Sequence, residues 1–147
     1  MIRATQTKWR NEMSQSHECF YNFIKVLTSP MSQEGYGYDI QKFMKFMVTK
    51  GHVKHVEDFE GALNFDGKEL TALLQSFVNH LEMKGMCDSS VQTVLSSSEL
   101  FYEMNLKIWH KKVVRKSIKK NPNRIKGGGV AATNEDLLLM LNYTTSL

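Results

Sequence analysis

The residues of this sequence with the clearest chemical bias are basic and lie close together. From Asn105 to Asn134 the chain carries nine lysines and arginines and no acidic residue. These cations are Lys107, Lys111, Lys112, Arg115, Lys116, Lys119, Lys120, Arg124 and Lys126. The rest of the chain holds 10 basic and 15 acidic residues, so a net-acidic body carries one strongly basic segment. This asymmetry favours a surface that binds a polyanion; a solvated helix face followed by a linker is the alternative.

A group of small polar residues precedes the basic segment. Ser89, Ser90, Gln92 and Thr93 fall in the first two turns of a predicted helix. Hydroxyl and amide groups near a helix N-terminus suit phosphate and base-edge contacts, although ordinary helix capping also explains them. Together with the basic segment, they predict nucleic-acid binding. Because Trp109 is the one aromatic residue among the basic ones, we expect contacts along a duplex backbone rather than base stacking on a single strand.

Other residue types offer little chemistry. His52 and His55 lie near Glu57 and Asp58, a set that could bind a metal, but the segment has no regular element to preset ligand geometry. We therefore predict a polar loop there. Two cysteines are too few for a disulfide framework, and we expect both to be thiols. The sequence predicts no catalytic residues, no metal, no cofactor and no small-molecule substrate.

Hydrophobic periodicity predicts an all-α fold, a small helical bundle without strands. Apolar residues recur with the spacing of one helix face in each of several segments. The predicted helices run over 17–29, 32–50, 67–84, from a cap at Asp88 or Ser89 onward, over 108–120 and over 134–147. Gly51 and Gly85 are predicted to end the second and third helices, and Pro30 to stop the first.

The same pattern divides the chain into four parts. Residues 1–16 are polar and mixed in charge, which predicts an N-terminal arm. Residues 17–120 form the helical domain, and 121–133 form a basic linker that contains three consecutive glycines. The short apolar helix over 134–147 either packs back on the bundle or begins a further domain. With no apolar run near 20 residues and no apolar signal core, we expect no membrane partner and a cytoplasmic location.

Several motifs together resemble the core-binding domain of tyrosine recombinases, closest to the archaeal integrase type. The motifs are Ser29-Pro30, Tyr38–Met47 (YDIQKFMKFM), Leu81–Gly85 (LEMKG), Ser89-Ser90-Val91, Phe101–Asn105 (FYEMN), Trp109–Lys112 (WHKK) and Thr133–Leu141. The resemblance covers about 19–147. It implies a SAM-like helical bundle that forms one jaw of a clamp around duplex DNA. It also implies that 134–147 is the truncated first helix of a catalytic domain.

The resemblance carries over no catalytic machinery. The family cuts and rejoins DNA with an Arg, a Lys, a His-x-x-Arg pair and a nucleophilic Tyr, and this chain contains no His-x-x-Arg. Tyr143 does not lie in the position of the nucleophile. We therefore expect a duplex-DNA-binding module of a site-specific recombinase or integrase, nucleoid-associated, that is not itself an enzyme.

The expected DNA contacts combine the charge pattern with motif position. They are Lys42, Lys45, Ser89, Ser90, Gln92, Thr93, Lys111, Lys112, Arg115, Lys116, Lys119, Lys120, Arg124 and Lys126. The chain departs from the family at Gln33 and Glu34, where basic residues are usual, and Gly35 and Gly37 predict a frayed helix start.

Two alternatives remain open. One is a non-catalytic fragment of a split or decayed integrase. The other is a protein-interaction module that pairs through Leu137–Leu141 and regulates a recombinase, its partner then being a catalytic domain or the full-length enzyme.

Overall fold

A computed structural model describes the backbone of residues 2–119 and the side chains of residues 6–119. Over this range it contains seven helices and no strand, which confirms the all-α prediction. The helices are α1 (Ile2–Ser16), α2 (Glu18–Ile24), α3 (Pro30–Thr49), α4 (Phe59–Ala62), α5 (Gly67–Met83), α6 (Asp88–Met104) and α7 (Lys111–Lys116). The predicted linker over 121–133, the trailing helix over 134–147 and the cations Lys120, Arg124 and Lys126 lie outside the described residues.

The core lies where the apolar faces of α2, α3, α5 and α6 meet. Most of the residues predicted to line these faces are buried, and they include Phe20 and Phe23 of α2, Ile40, Phe43, Met44 and Met47 of α3, Leu70, Leu74 and Phe77 of α5, and Val91, Leu95, Phe101 and Tyr102 of α6. Aromatic rings pack edge to face across helices; the ring centres of Phe43 and Phe77 are 5.0 Å apart. This geometry adds to the free energy of burying their apolar area.

The helix α3 begins at Pro30, two residues before the predicted start at 32. Ser29 is the cap: its side-chain oxygen accepts from the backbone N–H of Met31 and of Ser32. Pro30 occupies the first helical position, where its missing N–H costs nothing and its fixed φ suits the helix. Gln33 donates from its side-chain amide to the Leu27 carbonyl at 2.9 Å, so it serves the turn between α2 and α3.

The predicted ends of α3 and α5 are confirmed. Gly51 and Gly85 adopt φ of 76° and 88°, in the left-handed region that glycine enters without a steric penalty. Beyond α5, the Met86 N–H donates to the Leu81 carbonyl and the Gly85 N–H to the Glu82 carbonyl. This pair of hydrogen bonds is a Schellman motif, and it turns the chain sharply into α6.

Residues 2–16, predicted as a polar arm, form a helix that packs on the bundle. Met13 is buried, and the ring of Trp9 lies edge to face against Phe20 at 5.3 Å. The side chain of Arg10 crosses Gly37, where a Cβ would lie 3.0 Å from its Cδ. Gly37 is therefore a buried contact with α1, and α3 is helical from its first residue instead of frayed at its start.

Other boundaries also move. The first predicted helix ends at Ile24, and the loop over 52–66 contains the short α4, capped by Asp58. Cys87, instead of Asp88 or Ser89, occupies the N-cap position of α6. The basic helix shortens to six residues, because Ile108, Trp109 and His110 run along α5 before α7 begins.

Candidate nucleic-acid interface

The first turns of α6 present a row of small polar side chains. Ser89, Gln92 and Thr93 are exposed and Ser90 is half-buried. Thr93 donates its hydroxyl to the Ser89 carbonyl at 3.0 Å, and Ser96 donates to the Gln92 carbonyl at 2.8 Å. The helix backbone thus orients both hydroxyl groups. We call Ser89, Gln92, Thr93 and Ser96 the α6 stripe.

A groove between α3 and α6 brings predicted DNA contacts from both helices together. Its lining contains Asp39 and Lys42 of α3, the turn residue Met86, and Ser89, Ser90, Thr93 and Val94 of α6. The Lys42 Nζ lies 3.6 Å from the Asp39 carboxylate and 4.8 Å from the centre of the Tyr38 ring. Burial raises the pKa of Asp39, although Lys42 acts in the opposite direction. This groove is the α3–α6 groove.

A second groove lies between α3 and α5 and shares Lys42 with the first. Its lining contains Tyr38, Lys42, Lys45, Phe46 and Thr49 of α3 and Phe77, His80, Leu81 and Lys84 of α5. We call it the α3–α5 groove. Lys45 was predicted from the sequence, whereas Lys84 and His80 were missed. Their spacing of four residues on α5 places them on one helix face, but that signal does not reveal which helix packs beside them.

The basic segment is fixed along α5 by polar contacts of its backbone and of Ser117. The Asp66 carboxylate accepts from the Ile108 N–H at 2.9 Å, and this bond lowers the pKa of Asp66. The His110 N–H donates to the Thr71 hydroxyl at 2.9 Å. Farther along α5, the Gln75 amide donates to the Ser117 hydroxyl at 3.0 Å. These contacts present α7 on one flank of α5 and leave most of its lysines in solvent.

Arg115 has a role in the fold that the sequence analysis did not assign. Its guanidinium donates through Nε and Nη2 to the carboxylate of Glu99, a side chain that is 3% exposed. Its Nη2 also donates to the Ser96 hydroxyl at 3.2 Å. Arg115 thus neutralises a buried charge and attaches α7 to the α6 stripe.

The lysines of the basic segment differ in their surroundings. Lys112, Lys116 and Lys119 are exposed. The Lys111 Nζ lies 3.9 Å from the Glu103 carboxylate, and both side chains are about half exposed. An ion pair of this kind contributes at most about 1 kcal/mol and is easily exchanged for a phosphate.

The two sets of predicted contacts therefore flank one helix. Lys42 lines the groove on one side of the α6 stripe, and Arg115 reaches Ser96 from the other side. Neutral hydroxyl and amide groups lie between cationic side chains of α3 and α7. At the centre, Ser89 and Gln92 can donate to phosphates, whereas the hydroxyl protons of Thr93 and Ser96 are bonded to backbone carbonyls.

The FYEMN motif (Phe101–Asn105), which carries part of the family resemblance, connects helices of the bundle. Tyr102 is fully buried and donates its hydroxyl to the Ala62 carbonyl at 2.8 Å. The Asn105 amide donates to the carbonyls of Cys19 and Phe101 at 3.0 and 2.8 Å. Phe101 packs against Phe23 with ring centres 5.9 Å apart. The motif thus links the end of α6 to α2 and α4.

A further polar cluster lies away from the stripe, and its chemistry is not that of a nucleophile. His17 Nδ1 is 2.8 Å from the Glu60 carboxylate, and the Cys19 Sγ is 3.8 Å from the same group. Burial, with Glu60 adding to it, raises the pKa of the Cys19 thiol to about 12. The thiol therefore stays protonated near pH 7.

Comparisons with family models, with curated proteins and with solved structures give no match to this chain. In residues 2–119, no three His, Cys, Asp or Glu side chains come together as a metal site. The helices over the same range are also too short or too polar to cross a bilayer.

Proposed function

We propose that the chain is a duplex-DNA-binding module with little sequence preference. The observation that carries the proposal is the α3–α6 groove, in which Lys42 meets Ser89, Ser90 and Thr93 from another helix. These four residues are among the DNA contacts that the sequence predicts. Lysine supplies charge, and the Ser89 and Ser90 hydroxyls can donate to phosphate oxygens; the Thr93 hydroxyl can do so when it rotates away from the Ser89 carbonyl.

The composition of this surface favours contacts to the DNA phosphates over contacts to base edges. Lysines and small hydroxyls contact phosphates without regard to sequence, and Gln92 is the one side chain of the α6 stripe long enough for a two-bond contact to adenine. Asp39 lies in the same groove and repels phosphates, which lowers the affinity. We therefore expect binding that depends steeply on salt and weakly on sequence.

The connection to recombination is part of the same proposal and is supported by the sequence resemblance. In this role the chain is one jaw of a DNA clamp, associated with the nucleoid, and strand cleavage belongs to another domain or protein. The purified chain is expected to leave supercoiled plasmid intact under conditions in which it binds a duplex. Nicking activity that co-purifies with the chain would contradict this part of the proposal.

The first test is a fluorescence-anisotropy titration of a labelled duplex at about 50 and 200 mM salt, where the logarithm of the affinity should fall by about 0.9 per phosphate neutralised. The variant Q92E/T93E places two carboxylates on the exposed α6 stripe. We expect it to weaken binding at least about tenfold, because like charges repel across the contact.

The matched control is N11E/Q15E, which adds the same charge to an exposed face of α1. It corrects for the change in net charge and should lose far less affinity. Equal losses in the two double variants, or no binding of the wild-type chain at about 50 mM salt, would refute the proposed function.

A further inference from the structure

The α3–α5 groove has the composition of an anion site. Three lysine side chains line it, Lys42 and Lys45 from α3 and Lys84 from α5, together with the hydroxyl groups of Tyr38 and Thr49. Of the described residues that line this groove, none is acidic. Since Lys45 and Lys84 are exposed, their ammonium groups can turn toward a ligand without breaking a buried contact.

His80 lines this groove in a partly apolar setting. Its ring centre is 5.0 Å from that of Phe46 and 6.4 Å from that of Phe77, and the rings of Phe77 and His80 are nearly parallel. Burial lowers the pKa of His80, and the charges of Lys84 and Lys50 lower it further. The imidazole is therefore neutral at pH 7 while the groove is empty of anions.

The charged and titratable groups near His80 come from two helices. Lys42, Lys45, Tyr38 and the cap residue Lys50 belong to α3 and its end, and Lys84 belongs to α5. Asp39 lies in the adjoining α3–α6 groove, where it faces Lys42. Positive charge thus dominates the surroundings of the imidazole, and a bound anion would reverse the sign of the local potential.

We propose that the α3–α5 groove binds a phosphate group and that His80 takes up a proton from solvent when the phosphate enters. The lysines attract the anion, and the protonated imidazole donates a charge-assisted hydrogen bond to it. This inference rests on the proposed function in one respect: the phosphate source that we favour is the backbone of a bound duplex. A free phosphate compound would satisfy the same groups.

Histidine NMR tests the proposal at the residue itself. The pH titration of the imidazole Cε1–H signals is recorded for the full chain alone, with inorganic pyrophosphate, and with a short duplex at low salt. Since an opposite charge within about 4–6 Å shifts a pKa by 1 or more, the pKa of His80 should rise by about 1. His52 and His55, exposed in the loop before α4, serve as internal controls.

Two double variants distinguish phosphate binding in the groove from a general effect of positive charge. K45A/K84A should abolish the rise at His80, whereas K8A/K54A, which removes two exposed lysines elsewhere, should retain it. A rise with both pyrophosphate and duplex assigns the groove to nucleic-acid phosphates, and a rise with pyrophosphate alone assigns it to a free phosphate compound. No rise with either probe overturns the proposal, even if anisotropy shows that the duplex binds through the α6 stripe.

Proton uptake also makes a prediction about affinity. If the pKa of His80 rises by about 1 on binding, duplex affinity should increase up to about tenfold as the pH falls from about 7.5 to 5.5. H80N keeps a neutral polar side chain and should lose this part of the pH dependence. An unchanged pH profile in H80N would place the proton uptake elsewhere and contradict the role of His80.

Discussion

Arg115 shows how a single cation can serve the fold rather than a ligand. Glu99 is buried, and Arg115 supplies its counter-charge from α7. Because removal of one partner leaves an uncompensated buried charge, R115A should lower the free energy of unfolding by about 3 kcal/mol, less to the extent that water reaches the partly exposed guanidinium. Urea denaturation followed by circular dichroism measures this loss.

Two further variants separate the ion pair from a general effect of removing charge. K116A removes the neighbouring exposed lysine and should change stability by less than about 0.5 kcal/mol. R115A/E99Q should recover part of the loss, because a neutral amide at position 99 needs no counter-charge. If R115A and K116A were equally stable, the Glu99 pair would contribute nothing to the fold.

At the scale of the helix, the end of α6 carries avoidable strain. The chain leaves α6 through a Schellman motif, in which the Lys107 N–H donates to the Tyr102 carbonyl and the Leu106 N–H to the Glu103 carbonyl. Leu106 has φ of 65°, the left-handed conformation that this motif requires, and its side chain is 87% exposed. A Cβ in this conformation costs about 1 kcal/mol or more. L106G should therefore raise the free energy of unfolding by about 1 kcal/mol in the same urea assay.

The control for this substitution is L106A, which removes the exposed leucine but keeps the Cβ. It should leave stability within about 0.5 kcal/mol of wild type. If the alanine variant gained as much as the glycine variant, the exposed apolar surface, and not the backbone conformation, would be the source of the cost.

The helices that could be predicted are those whose apolar residues form a complete stripe. In α3, α5 and α6 the spacing alone identified the buried face, and the glycines at 51 and 85 marked two helix ends. By contrast, α1 was missed because its polar composition outweighs the contacts of Trp9 and Met13, two apolar residues four positions apart. The four-residue spacing of these two residues was the signal from which α1 could have been predicted. The boundary near His110 depended on tertiary contacts that no local pattern contains, whereas Ser29-Pro30 was itself a local signal for the start of α3.

The candidate site was predictable to a smaller extent. Lys42, Ser89 and Thr93 were selected from motif position and charge, and they share a groove. His80 and Lys84 were missed because their importance comes from lining one groove with Lys45, which is more than 30 residues away in sequence. The Arg115–Glu99 pair was missed for the same reason, since a run of cations does not show which of them a buried carboxylate neutralises.

For the whole molecule, one duplex would have to contact two cationic surfaces, the α3–α5 groove and α7. The α3–α5 groove presents Lys45 and Lys84, and α7 presents Lys112 and Lys116. If both pairs neutralise phosphates of the same duplex, K45A/K84A and K112A/K116A should each reduce the salt slope by about 1.8, and the quadruple variant by about 3.6.

Additivity is the decisive part of this prediction, because distant charges that act on one ligand contribute independently. The slopes come from anisotropy titrations at four salt concentrations, with K8A/K54A as the charge-matched control. A slope that responds to one pair alone would restrict the duplex to that surface and leave the other for a different ligand. A further outcome is that pyrophosphate raises the pKa of His80 while K45A/K84A leaves the salt slope unchanged. The α3–α5 groove would then bind a free phosphate compound, and DNA would bind through the α6 stripe and α7.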